Sequence, residues 1–90
     1  MSDEKRFNQK RREAIDSILA ERAYQVQRWE MSDQQKSPED WLAVLTVYMG
    51  KTAQELPLYQ GPNASLDKIR KRFTQIAAVC IAAIEALDQE

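Results

Sequence analysis

Ninety residues suit one small domain, residues 1–90, and leave little room for a second core. Only two glycines and three prolines stand against an abundance of Ala, Leu, Ile, Gln and Glu, which excludes a turn-rich β-domain and makes the expected fold class all-α. Thirteen basic and fourteen acidic residues leave a formal charge of −1, which excludes a global field drawing the chain onto nucleic acid or an anionic membrane.

The chain contains no histidine, which removes His-based triads, His general bases and the usual zinc sites. Cys80, the single cysteine, lies in an apolar run where no second thiol can pair with it, so core packing is expected rather than redox or nucleophilic chemistry. The first twelve residues are charged and carry no apolar h-region, so no secretory signal is expected. No run approaches the roughly 20 apolar residues that span a bilayer, and a cytoplasmic location follows as the expectation.

In chain order, the first predicted helix covers residues about 3–31, with Ser2 or Asp3 as N-cap. Its stripe of Ile15, Ile18, Leu19, Val26 and Trp29, interrupted by Arg22, has helical spacing. After a loop from Ser32 to Lys36, Ser37-Pro38-Glu39-Asp40 is the clearest helix start in the chain: Ser37 caps, Pro38 suits the first helical position, and the acids complement the dipole. The second helix, about 38–56, carries Trp41, Leu42, Leu45, Tyr48, Met49, Thr52 and Leu56 at three- and four-residue spacing, and Pro57 cannot continue it. Gly50 inside this helix points either to close approach by another element or to a tolerated weakness worth about 1 kcal/mol. Residues 57–64 read as a loop, and Asn63 or Ser65 caps a third helix over about 65–88.

The stripe of that third helix is Leu66, Ile69, Phe73, Ile76, Ala77, Cys80, Ile84 and Leu87. From Ile76 onward the helix is apolar around most of its circumference, whereas an outer helix of a three-helix monomer needs a polar face. Alanines at 77, 78, 82, 83 and 86 permit close helix contact. A two-fold homodimer with a four-helix-like core is the simplest arrangement that covers the surplus; the alternative is a monomer whose other helices and loop wrap the third.

Glu21-Arg22-Ala23-Tyr24-Gln25-Val26-Gln27-Arg28-Trp29, then Trp41-Leu42-Ala43-Val44-Leu45-Thr46, then Gln75-Ile76-Ala77-Ala78-Val79 and Ala83-Ile84-Glu85-Ala86-Leu87-Asp88 together resemble the MazG-like proteins found in phages and mobile elements. These belong to the all-α nucleoside triphosphate pyrophosphatase superfamily. The likeness runs in order over about residues 15–89 and rests on helix-framework positions. It implies a dimeric helical bundle whose enzymes hydrolyse nucleoside triphosphates to monophosphate and pyrophosphate with Mg²⁺. The family sets Glu-Glu-x-x-Glu on one helix and Glu-x-x-Asp on the next, since a hard cation takes oxygen ligands brought to one cleft by three- and four-residue spacing.

Aligned on Thr46 and Gly50, the first motif falls on Val47, Tyr48 and Lys51, and the second on Arg72 and Gln75. None is a carboxylate, and two are cations, so no metal ligand, cofactor or catalytic residue carries over. A binding or interaction protein with its metal site erased is the expected function, with a pyrophosphohydrolase or a metal-free nucleotide binder as alternative. In the latter, Lys51, Lys71 and Arg72 stand where the metal and its phosphates sat and hold a nucleotide or another anion directly. The plainer expectation is that Val47 and Tyr48 have joined the core and Lys51 is a surface residue pairing with Glu55 at i+4.

Glu21, Glu55, Glu30 and Asp33 are read as solvated acids, although Glu21 and Glu55 can approach one another in a bundle. Two basic clusters, one formed by Lys5, Arg6, Lys10, Arg11 and Arg12 and the other by Lys68, Arg70, Lys71 and Arg72, are read as solvated charge. A nucleic-acid-binding dimer is therefore the less favoured alternative, since the aromatics follow the apolar stripes and leave no stacking platform. Leu56-Pro57-Leu58-Tyr59 offers an apolar contact for a protein partner.

Overall fold

The computed structural model describes residues 2–29 and 36–88, and among these every regular element is helical. Helix α1 spans Asp3–Trp29, α2 spans Pro38–Gln54, a short α3 spans Pro57–Gln60 and runs into a 3₁₀ turn at Gly61–Asn63, and α4 spans Leu66–Asp88. The expected helix end at Met31, the side chain of Trp29, the acids Glu30 and Asp33 and the loop of residues 32–35 lie outside the described residues.

The helix starts follow from local capping. Ser2 accepts from Lys5 N–H through its hydroxyl (3.4 Å) and from Arg6 N–H through its carbonyl (3.2 Å), which settles the choice between Ser2 and Asp3. At α2 the Ser37 hydroxyl accepts from Asp40 N–H (3.2 Å) while the Asp40 carboxylate accepts from Ser37 N–H (3.0 Å), a complete capping box with Pro38 in the first turn. These bonds from Ser37 hold the Asp40 carboxyl below its ordinary pKa. At α4 it is Ser65, not Asn63, whose hydroxyl and carbonyl take Lys68 N–H and Ile69 N–H.

Two expectations about the connection between α2 and α4 are corrected. Helix α2 ends at Gln54 rather than residue 56, and residues 57–63 are not an irregular loop, because Pro57, with its fixed φ and missing N–H, opens α3. Gly61 closes α3 at φ 57°, a left-handed position suited to glycine. A Cβ at Gly50 would meet nothing within 4 Å, so that residue is a tolerated weakness and no element packs close to it.

Helix α4 lies between α1 and α2, which each pack on it while their backbones do not approach one another. The result is an open layer of three long helices with a thin direction of 21 Å. Trp41 from α2 and Val79 and Ala82 from α4 form the buried core, flanked by Val44, Leu45, Tyr48, Ala83 and Ala86. Arg22, the interruption in the first stripe, reaches Glu85 of α4 at 2.8 Å and ties α1 to the end of α4.

The apolar stripes read from spacing enter the intrachain core only in part: Trp41 and Thr52 of the α2 stripe are buried and Leu45 and Tyr48 pack against the core, while much of the rest is exposed. Ile15, Leu19 and Val26 on α1 remain exposed, as do Leu42, Met49 and Leu56, and on α4 Leu66, Phe73, Ile84 and Leu87 remain exposed. Phe73 and Ile84 stand 59% and 58% exposed. The buried side of α4 carries Ala78, Val79 and Ala82 instead, small residues that let the flanking helices approach. The α4 stripe therefore lies across the helix from this packed side, as its register dictates. Cys80, which belongs to that stripe, is half-buried.

Candidate functional site

Because α1 and α2 flank α4 without meeting, a groove of about 680 Å³ opens between them over the first half of α4. Helix α1 contributes Glu21, Tyr24, Gln25 and Arg28; α2 contributes Tyr48 and Lys51; α4 contributes Lys71, Arg72 and Gln75. Each set follows helical spacing, so each helix turns one polar strip toward the groove. All three predicted anion-binding residues, Lys51, Lys71 and Arg72, line it. A second groove of about 260 Å³, lined by Glu55, Lys68, Lys71, Arg72 and Gln75, shares three of its residues with the first.

The groove is electropositive, with Arg28, Lys51, Lys71 and Arg72 set against the single carboxylate of Glu21. Arg72 is oriented from two sides: its Nη1 donates to Gln75 Oε1 (3.2 Å) and its Nη2 lies 3.4 Å from Glu55 Oε1. Glu55 thus pairs with Arg72 and not, as expected, with Lys51, whose Nζ lies 5.5 Å from the centre of the Tyr48 ring. Arg28 donates to the Tyr24 hydroxyl at 3.0 Å. The Tyr48 phenol is pushed above its ordinary pKa by burial first and the Glu21 charge second, so it is a neutral donor at neutral pH.

Deepest in the groove wall, Gln25 is 2% exposed. Its Nε2 donates to the Gln75 backbone carbonyl at 3.4 Å, whereas its Oε1 is buried with no hydrogen-bond partner. The indole Nε1 of Trp41 is the other buried polar atom without a partner among the described residues.

Four of the five positions matched to the MazG-like carboxylates, Tyr48, Lys51, Arg72 and Gln75, share the groove, while Val47 stands 56% exposed and does not join the core. Tyr48 does pack against the core while its ring borders the groove. Glu21 and Glu55 border neighbouring parts of the same basic region and are not solvated acids on open surface. Among the described residues no three Asp, Glu, Cys or His side chains come together as a cation site. These side chains do not fit a Mg²⁺ ion: one carboxylate among four cations offers neither the oxygen set nor the negative charge a hard cation takes.

The basic cluster of α4 is divided by helical geometry. Lys68, Lys71 and Arg72 face the groove region, whereas Arg70 turns away and its Nη2 donates to Ser17 Oγ on α1 at 3.2 Å. On α1, Lys5 and Arg12 border a separate shallow hollow with Asn8 and Gln9. Sequence reasoning missed Arg28, Tyr24 and Gln25 as groove residues. Tyr24, Gln25 and Arg28 lie three, four and seven residues after Glu21, which marks a shared helix face, but nothing local says that this face is turned to α2.

Fold and groove define an all-helical protein with a basic cleft across its central helix. Comparison with protein-family models, with curated protein sequences and with solved structures gave no match. No described helix is long and apolar enough to cross a membrane.

Proposed function

We propose that this chain is a MazG-like helical protein that binds a phosphate-bearing ligand, with a nucleotide as the favoured class, directly on its basic groove without metal and without turnover. The observation that carries this reading is the convergence of Lys51, Lys71 and Arg72 with Arg28 on one groove of ligand size. Cations held by separate helices around one hollow meet an anion at lower cost than the same cations scattered on open surface, since the fold has already brought them together. The coincidence of that groove with four positions of the family's carboxylate motifs supports the resemblance. Erasure of those carboxylates removes the means of activating water with Mg²⁺, and the groove holds no histidine to act as base.

Thermal unfolding against nucleoside triphosphates and monophosphates, with and without Mg²⁺, tests the reading, because a ligand bound to the native state raises the midpoint. The expected result is a shift with triphosphates that does not need Mg²⁺. A shift that appears only with Mg²⁺ would return the chain to the pyrophosphohydrolases. No shift with any nucleotide would favour the second reading, a protein-interaction module, for which α3 provides the observation: Leu58 and Tyr59 are held outward at 84% and 67% exposure.

The assembly we propose is a homodimer, with a second copy covering the exposed stripe of α4 and the exposed apolar residues of α1. The chain leaves 7036 Å² accessible, against about 5,400 Å² for a compact monomer of this mass. An excess of about 1,600 Å² per copy, doubled in a pair, falls within the size of obligate homodimer interfaces. Sedimentation at micromolar concentration should give twice the 10.4 kDa chain mass, and Phe73→Asp with Ile84→Asp should give the monomer. A monomeric wild-type chain would overturn the dimer.

A further inference from the structure

The basic cluster in the first turns of α1 takes no part in the groove. Five of the eight residues from Lys5 to Arg12 are cations and none is an acid, while the whole chain carries −1, so positive charge is concentrated in this segment. Every residue from 2 to 16 is exposed. The seats of α1 on α4 come later, at Ala14 and Ile18 beside Phe73 and at Ser17, which accepts from Arg70. The stretch from Asp3 to Glu13, roughly 16 Å of helix, is thus an arm, with no hydrogen bond or ion pair to another element among the described residues. Cations in these turns oppose the helix dipole, so an anionic partner favours the arm more than its own helix does.

We propose that this arm is a docking helix for double-stranded DNA, entering the major groove and binding phosphates on both of its walls. Helical geometry sets Lys5 and Arg12 on one line of the arm, Arg6 and Lys10 on a second and Arg11 on a third, roughly 120° apart. Charge all round a helix suits a partner that surrounds it, and the major groove, about 12 Å wide, admits an α-helix between two rows of phosphates. A flat anionic surface would engage one charged face only. A membrane would also ask for an apolar face, whereas Phe7 is the single apolar side chain between Lys5 and Arg12. Along the line from Lys5 to Arg12, Asn8 and Gln9 border the same hollow, which puts amides suited to base edges between cations suited to phosphates. The exposed bond from Gln9 Nε2 to Glu13, 3.4 Å long, is exchanged on docking. The want of a stacking platform counts against a single strand and not against a duplex, whose bases stay stacked and whose phosphates and sugars take most contacts. This surface and the groove between the helices share no residue, so neither reading depends on the other.

The test is fluorescence anisotropy of a labelled DNA duplex of about 20 base pairs, titrated with the full chain at about 50 mM and about 200 mM salt. The wild type should bind at low salt and lose about tenfold or more at the higher, since each phosphate contact adds about −0.9 to the slope of log K against log salt. Lys5→Gln with Arg11→Gln and Arg12→Gln, three exposed changes to a good helix former, should cut low-salt affinity about tenfold or more and flatten that slope by roughly two to three. Lys51→Gln with Arg72→Gln should leave duplex binding unchanged. An RNA duplex of the same sequence should bind about tenfold or more weakly, because its deep, narrow major groove does not take the helix. No binding of the DNA duplex by the wild type at low salt overturns the proposal, as does unchanged affinity in the triple variant. Loss in the Lys51 and Arg72 variant instead would move the interaction to the groove and overturn the arm. Equal affinity for the two duplexes would overturn major-groove docking, and this comparison is made on the wild type, so it decides the question even if the triple variant does not fold.

Discussion

Changing Lys51 and Arg72 together to glutamate should weaken nucleoside triphosphate binding by more than about a hundredfold, equivalent to roughly 2.7 kcal/mol or more. Both side chains border the same groove from different helices, so reversing them turns four cations against one carboxylate into two against three. Attraction to a phosphate chain then becomes repulsion over a few ångströms, where screening by salt is weakest. Arg72 also pairs with Glu55, and a glutamate at 72 sets two carboxylates together, so the unfolding midpoint of the variant must be measured beside its affinity. Lys51→Gln with Arg72→Gln should give an intermediate loss without that added repulsion. Titration calorimetry at two salt concentrations checks the electrostatic origin, since wild-type affinity should fall as salt rises while the glutamate variant stays flat. Unchanged affinity in the double glutamate variant would remove the groove as the binding site.

Trp41→Ala should cost about 3–5 kcal/mol of stability, the range for emptying a buried aromatic position. In so small a chain this is a large share of the total, because domains hold only about 5–15 kcal/mol and small ones bury the least surface. Trp41 is 2% exposed and is the one aromatic side chain in a buried cluster otherwise made of Val79 and Ala82, so its loss removes the largest side chain of the buried α2–α4 seam. That contact also forms the floor on which Tyr48 packs, so nucleotide binding should fall with the fold. Trp41→Phe should cost much less, since it keeps a ring in the cluster and removes an indole N–H that is buried without a partner. Urea unfolding of the three proteins decides the matter. A loss below about 1 kcal/mol for Trp41→Ala would mean that the α2–α4 seam is not the core.

The clearest local signal in the chain, the start of α2, was read correctly because its physics is local. Ser37, Pro38 and Asp40 specify a capping box within four residues, and nothing outside that stretch is needed to form it. Pro57 was legible as a residue that cannot continue α2, but the helix already stops at Gln54, and the opening of α3 at Pro57 depends on how the next residues close at Gly61. Apolar spacing identified helices but not which face each one buries within a single copy. The stripe through Phe73, Cys80 and Ile84 is the stronger apolar pattern on α4, yet α1 and α2 pack where Ala78, Val79 and Ala82 allow close approach. Hydrophobicity along a helix records all the surface that must be covered, and it does not say whether a neighbour in the same chain or another copy covers it.

The candidate site was legible only in part. Lys51 and Arg72 came from matching the chain to the MazG-like motifs and Lys71 from its place beside them, and all three line one groove. Arg28, Tyr24 and Gln25 complete that groove from a helix more than twenty residues away in sequence, and the unpartnered oxygen of Gln25 is a property of burial that no spacing contains. By itself the sequence determined an all-helical chain, the start of α2, and the absence of histidine and of carboxylates at the matched motif positions, because composition and capping act within a few residues. Only the tertiary structure decided that α4 stands between α1 and α2, that their separation opens a basic groove, and that Glu55 belongs to Arg72 and not to Lys51. Those outcomes turn on which helix faces meet, a choice made by the packing of the whole chain and not by any one segment.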